Sequence, residues 1–148
     1  ANGADKSVQG YLAQAGYRQV VVCAICGDVR NNVGNWEVKC VRPSTMTKDF
    51  KYYVEKDKKM AEEADYGFMI WDSKSRGALN NIVNMLRLKK ATLVYLTSKK
   101  EFFKVNNFAD LKKLLENCSK ESLSTFEEKL GLSHIIEDNI KQPALSLK

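Results

Sequence analysis

Between Asp5 and Ala15 the apolar residues Val8, Tyr11, Leu12 and Ala15 fall three and four apart, the spacing of one helix face, and Gly16 closes the segment. Gln19 to Ile25 is a β-branched run that reads as a strand. A polar stretch from Gly27 to Trp36 separates it from a short candidate strand, Glu37 to Val41. Lys48 to Ala64 is helical, with Phe50, Tyr53, Val54, Met60, Ala61 and Ala64 on one stripe. Tyr66 to Trp71 is continuously apolar and of strand length, which predicts a strand covered on both faces. Leu79, Ile82, Val83 and Leu86 then predict a helix from Gly77 to Arg87, with Lys89 and Lys90 suited to its negative C-terminal end. Ala91 to Leu96 is a second strand of the buried type.

Strands alternating with helices predict an α/β fold, Rossmann-like, with a mainly parallel sheet and helices over its faces. From Lys99 onward the pattern changes to Lys-rich helices, about Phe108 to Asn117 and Leu123 to Leu130. The expected organisation is an α/β domain over 1–98 and a helical extension, 99–148, packed on it. Ser124 to Ser133 has the rhythm of a helix-turn-helix, but no basic recognition helix follows the turn, so a plain helix pair is expected. There are no internal repeats and no linker.

Composition narrows the class. The 148 residues, 44% hydrophobic and 28% charged with two prolines, suit a globular chain and exclude a disordered or collagen-like one. No apolar run approaches the roughly 20 residues of a membrane helix, and no basic-then-apolar leader opens the sequence, so a soluble, cytoplasmic protein is expected. A net charge of +6 favours anionic partners, nucleotides or nucleic acid. Cys23 and Cys26 form a C-x-x-C, which suits redox chemistry or half a zinc site; Cys40 and Cys118 are isolated, and His134 is the single histidine. With Cys23 inside an apolar run, structural filler is the expected role, with no metal and no cofactor.

In an open parallel sheet, ligands sit beyond the carboxyl ends of the strands. Three segments are placed for that: Ala1 to Lys6, Gly27 to Trp36, and Asp72 to Ala78. The third is the sharpest. A small-residue turn at a helix N-terminus presents free N–H groups to an anion; Gly77 permits close approach, Lys74 and Arg76 add charge, and Ser75 offers a hydroxyl. The alternative is an ordinary capped turn. Asp57 falls inside the apolar stripe of its helix and needs a salt-bridge partner or a purpose. Trp36 and Trp71 border loops on the presumed ligand edge, where a ring either stacks on a base or packs in the core.

Asn2-Gly3-Ala4-Asp5-Lys6 ahead of a helix resembles the GxxGAD turn of the SLOG superfamily. The stretch from Asp57 to Asp65, continuing through Ile70-Trp71-Asp72-Ser73-Lys74-Ser75-Arg76-Gly77-Ala78, is similar to the M-x-x-x-AD … WDGKSRGT block of bacterial and phage SLOG proteins. The resemblance spans roughly residues 1 to 96 and implies a nucleotide-type ligand at the sheet edge. Its phosphate would lie on Gly77, with Gly3 as the opposing wall and Asp5 placed for a ribose hydroxyl. It also implies a sensor or regulatory role. Trp71, Asp72, Lys74, Ser75, Arg76 and Asn81 complete the candidate binding set.

The chain departs from the superfamily in two ways. Hydrolytic members carry G-T-x-x-E; aligned on Gly77, the Thr position is Ala78 and the Glu position is Asn81. An amide serves as neither carboxylate nucleophile nor general base, so nucleotide N-glycosidase activity becomes the alternative, with Asp57 or Asp72 as its carboxylate. Asn80, Asn81 and Asn84 offer neutral hydrogen bonds instead. Secondly, the superfamily normally has a strand and helix before its first glycine turn, which here opens the sequence. Either the sequence is a truncated piece or the sheet is paired differently; a missing strand would leave an exposed edge and favour a homo-oligomer. Nucleic-acid binding is a third reading, resting on Lys89, Lys90, Lys99, Lys100, Lys112 and Lys113, and no membrane partner is expected.

Overall fold

The structure is a computed structural model that describes residues 3–141, the Phe50 side chain excepted. Ala1 and Asn2 of the expected first turn, and residues 142–148 of the expected extension, lie outside the described residues. The chain forms two compact units, Ala1–Met60 and Ala61–Lys148.

The first unit holds helix α1 (Ala4–Gln14), strands β1 (Val21–Ile25) and β2 (Glu37–Val41), and most of helix α2 (Phe50–Glu63). β1 and β2 pair in parallel, Val21 opposite Glu37 and Ile25 opposite Val41. β1 buries Val22, Ala24 and Ile25, whereas β2 is exposed along most of its length. The connection folds back as a loop stapled to α1: the Gln9 amide donates to Asn31 O at 3.4 Å and accepts from Val33 N–H at 3.0 Å. On α2 the stripe turns toward Tyr52, which is buried with Ala61, while Tyr53, Val54 and Met60 are half-buried.

The second unit is built on a three-stranded sheet ordered β3-β4-β5, from Gly67–Trp71, Thr92–Leu96 and Glu101–Val105. β3 and β4 are parallel and joined through helix α3 (Arg76–Arg87); β4 and β5 form an antiparallel hairpin. Gly67 lies so close to Thr92 that a Cβ there would sit 2.7 Å from the Thr92 hydroxyl oxygen, which requires glycine at that pairing. Helices α4 (Phe108–Leu115), α5 (Lys120–Leu130) and α6 (Leu132–Lys141) follow. Gly131, at φ 61°, caps α5 in the left-handed conformation and leads directly into α6. This is a plain helix pair.

One core serves the whole second unit. Trp71, Val94, Leu96 and Val105 of the sheet share a cluster with Leu79, Ile82, Val83 and Leu86 of α3 and with Leu111, Phe126 and Ile136 of the later helices. The α/β class is therefore as expected, but the single, mainly parallel sheet is corrected to two small sheets, one parallel and one mixed. The two compact units meet within α2, and strand β5 arises where only helix was expected. β3 is not enclosed on both faces either: Phe68 is exposed, as is Phe102, whose ring meets Tyr95 at 4.9 Å. Lys90 caps a different helix from the one predicted, its Nζ donating to Ala61 O at 2.9 Å and Glu62 O at 2.7 Å at the end of α2. Among the described residues no helix is long and apolar enough to cross a membrane.

Candidate functional site

The segment between β3 and α3 is organised by Asp72. Its Oδ1 accepts the backbone N–H groups of Lys74 at 2.9 Å and Ser75 at 2.8 Å, closing a tight turn in which Ser73 takes φ 63°. Ser73 Oγ donates to Asp72 O at 2.6 Å. Partial burial pushes the Asp72 carboxyl up, but the N–H groups of Ser75 and Lys74 outweigh it and hold the group below the usual carboxylate range. Asp72 is thus an ionised loop organiser, with one oxygen already committed to backbone.

Ser75 is the N-cap of α3. Its hydroxyl accepts from Ala78 N–H and its carbonyl accepts the Trp71 indole N–H at 3.0 Å. Trp71 is 1% exposed and sits in the core, so its ring supports the loop from beneath and offers no face for stacking. Trp71, expected among the ligand contacts, thus lies in the core beneath the turn. Lys74 is exposed and Arg76 half-buried on the same short turn.

Gly77 in the first turn of α3 has an ordinary negative φ, and a Cβ built there would meet nothing closer than Ser75 Oγ at 3.9 Å. Neither backbone conformation nor packing requires glycine, which costs a helix about 1 kcal/mol relative to alanine. The space above it is open to an approaching group. One and two turns further on, Asn81 and Asn84 continue the row begun by Gly77. Asn80 Nδ2, Asn81 Oδ1 and Asn84 Nδ2 are enclosed without a hydrogen-bond partner.

In the first unit Gly3 precedes α1 as its N-cap residue, without a side-chain cap, and nothing lies within 4 Å of a Cβ placed on it. Asp5 is exposed in the first turn of that helix. Asp57 is mostly enclosed, its Oδ1 2.8 Å from Lys56 Nζ. Burial pushes its carboxyl up, Lys56 opposes this, and the negative charge of Asp5 adds to the rise. The ion pair supplies the partner that its place in the apolar stripe demanded.

The expected loop from Gly27 to Trp36 divides in two. Asp28, just after β1, accepts from Tyr53 OH at 3.4 Å and pairs with Lys48 at 3.3 Å, and the Arg30 guanidinium lies 4.0 Å over the Tyr53 ring and donates to its hydroxyl. Residues 20 to 25 apart build this cluster, so no local spacing announces it. Trp36 instead lies at the amino end of β2, its indole N–H donating to Tyr17 O at 2.8 Å. It stacks over Gly34, where a Cβ would lie 2.3 Å from the ring. Its expected place on the carboxyl edge is corrected. A cleft of about 360 Å³, lined by Tyr17, Arg18 and Trp36, belongs to this opposite edge.

Cys26 is bonded to Cys40, not available to a C-x-x-C dithiol with Cys23; this corrects the filler reading for Cys26 and the reading of Cys40 as isolated. Burial raises the Cys118 thiol to about 11, which disfavours its thiolate. Among the described residues no group of three or more potential ligands could hold a metal ion. Comparison with protein-family models, with curated proteins and with solved structures finds no match.

Proposed function

We propose that the second unit binds the phosphate of a nucleotide or nucleotide-derived ligand on the turn 72–77 and the first turn of α3, and that the protein is a sensor or regulatory domain of the SLOG type. The observation that carries this reading is Gly77, a helix-weakening residue that nothing inside the protein requires, at the Ser75-capped start of a helix. Lys74 and Arg76 supply positive charge on the same turn, and the helix dipole favours an anion there. Asp72 keeps the turn closed, its Oδ1 accepting from the Lys74 and Ser75 N–H groups.

A binding role is favoured over N-glycosidic hydrolysis by the same geometry. The residue at the position of the hydrolytic Glu is Asn81, Asp72 has an oxygen tied to the loop, and Asp57 is held by Lys56.

The test is thermal unfolding in AMP, NAD, ADP-ribose, inorganic phosphate and single-stranded DNA, on the wild type and Gly77→Asp. Ligand at 100 times its Kd stabilises by about 2.7 kcal/mol. An aspartate in the first turn favours the helix dipole, so Gly77→Asp should fold as well as wild type while losing the ligand-induced shift, because its carboxylate repels phosphate. An undiminished shift in the variant rejects the site. A shift with DNA alone rejects the small-molecule reading.

A further inference from the structure

Cys40 lies in β2, and its disulfide partner, Cys26, is the first residue after β1. Their Cα atoms are 4.7 Å apart, within the span of a disulfide without backbone movement. Cys26 N–H also donates to Val41 O at 3.0 Å, so the covalent link sits where the β1–β2 ladder ends. Cys23, inside β1 opposite Lys39, takes no part in the bond.

Two observations distinguish this bond from a buried structural one. Cys40 is exposed and Cys26 half-buried, which makes Cys40 the more accessible partner to a thiolate in solution. The bond also staples a sheet of only two strands, a unit that is marginal in water on its own, and β2 is exposed at four of its five positions. Gly27, at φ 81°, turns the chain immediately after Cys26 and delivers Asp28 to Lys48 and Tyr53.

We propose that Cys40 is a reversible thiol-modification site and that Cys26–Cys40 is a redox switch on the β1–β2 unit, with a small monothiol of the glutathione class as co-reactant. The monothiolate attacks Cys40 Sγ and the S–S bond breaks. The Cys26 sulfur leaves with the bonding pair and takes a proton from water, while Cys40 carries the mixed disulfide. A second monothiolate attacks the outer sulfur of that mixed disulfide, releasing the oxidised monothiol and the Cys40 thiolate, which is protonated. Two monothiols are oxidised to one disulfide, and the protein disulfide is reduced to two thiols. Exposed disulfides are the labile class, and losing this one returns β1 and β2 to a bare two-stranded pairing.

The experiment equilibrates the whole chain in glutathione buffers from fully oxidised to fully reduced. It maps the cysteines by acid quench, alkylation and peptide mass spectrometry, and follows backbone hydrogen exchange in parallel. The expected result is a Cys26–Cys40 linkage that converts to the dithiol within the buffer range. Amides across 21–41 should then exchange at least about tenfold faster, with those across 92–105 unchanged. Cys40→Ser should exchange like the reduced wild type in every buffer. A bond that survives the most reducing buffer, one that forms between other cysteines, or unchanged exchange across 21–41 after its loss overturns the proposal. Should Cys40→Ser fail to fold, the wild-type titration alone decides.

Discussion

Ser73 occupies the left-handed region at φ 63°, a conformation that costs a residue with a Cβ about 1–2 kcal/mol. Ser73→Gly relieves that strain but loses the hydroxyl bond to Asp72 O and adds freedom to the unfolded chain. We therefore expect a change within about 1 kcal/mol, whereas Ser73→Val, β-branched in the same conformation, should cost at least about 2 kcal/mol. Urea denaturation distinguishes the two. Asp57 gives a pH signature. Its carboxyl is raised on folding, chiefly by burial, so the folded state favours the protonated form. Its contribution is fully present below the unfolded value of 3.8 and is lost as pH rises through the higher folded value. Asp57→Asn should accordingly raise the Tm at neutral pH, and the difference from wild type should vanish below about pH 4. A constant difference across pH would mean that the carboxylate is not what burial penalises. Asp72 runs the other way: its folded value is lowered by the turn it closes, so its stabilising effect is present at neutral pH and fades in acid.

At the scale of elements, α3 carries both the core and the candidate site. Leu79, Ile82, Val83 and Leu86 hold it to the sheet, while Gly77, Asn81 and Asn84 run along another row. Asn84 is 6% exposed and its Nδ2 is unpaired, a state that costs about 1–3 kcal/mol. Asn84→Leu keeps a similar volume without the unpaired donor, and should stabilise the fold by about 1 kcal/mol in chemical denaturation. A loss of stability instead would mean that the amide is paired. The loop between β1 and β2 has its own requirement. Gly34→Ala puts a methyl group where the Trp36 ring lies 2.3 Å away, so the ring must leave its seat. The expected cost is about 1–3 kcal/mol, with a red shift in the Trp36 emission and no change at Trp71.

The whole molecule is two compact units whose stabilities have different sources. The second has a continuous apolar core in which Phe126 is completely buried, 6.1 Å from the Trp71 ring. Phe126→Ala should cost about 3–5 kcal/mol, read as a lower unfolding midpoint in Trp71 fluorescence. The first unit combines two strands, loop hydrogen bonds from Gln9 and Asn32, and a disulfide. Tertiary contacts of this kind, more than helix propensity, place Asp28, Arg30, Lys48 and Tyr53 together.

The sequence by itself determined the elements whose signals are local. The apolar spacing of α3, the β-branched run of β1 and the small-residue turn from Asp72 to Gly77 all appear where the pattern puts them, because each depends on neighbours within a turn or two. The α/β class followed from their alternation. Pairing was decided only in three dimensions. Strand β5 was illegible because Phe102 and Phe103 stand among lysines and a glutamate, and it is a strand by virtue of β4 beside it. The same holds for Cys26, whose partner is the cysteine 14 residues away and not the one three residues back, since the β1–β2 register brings the former close. Trp36 and Trp71 make the point for the candidate site. Both border loops in sequence, yet one seats on a glycine at the amino edge and the other is sealed in the core, because the burial of a large ring depends on what the rest of the chain packs around it.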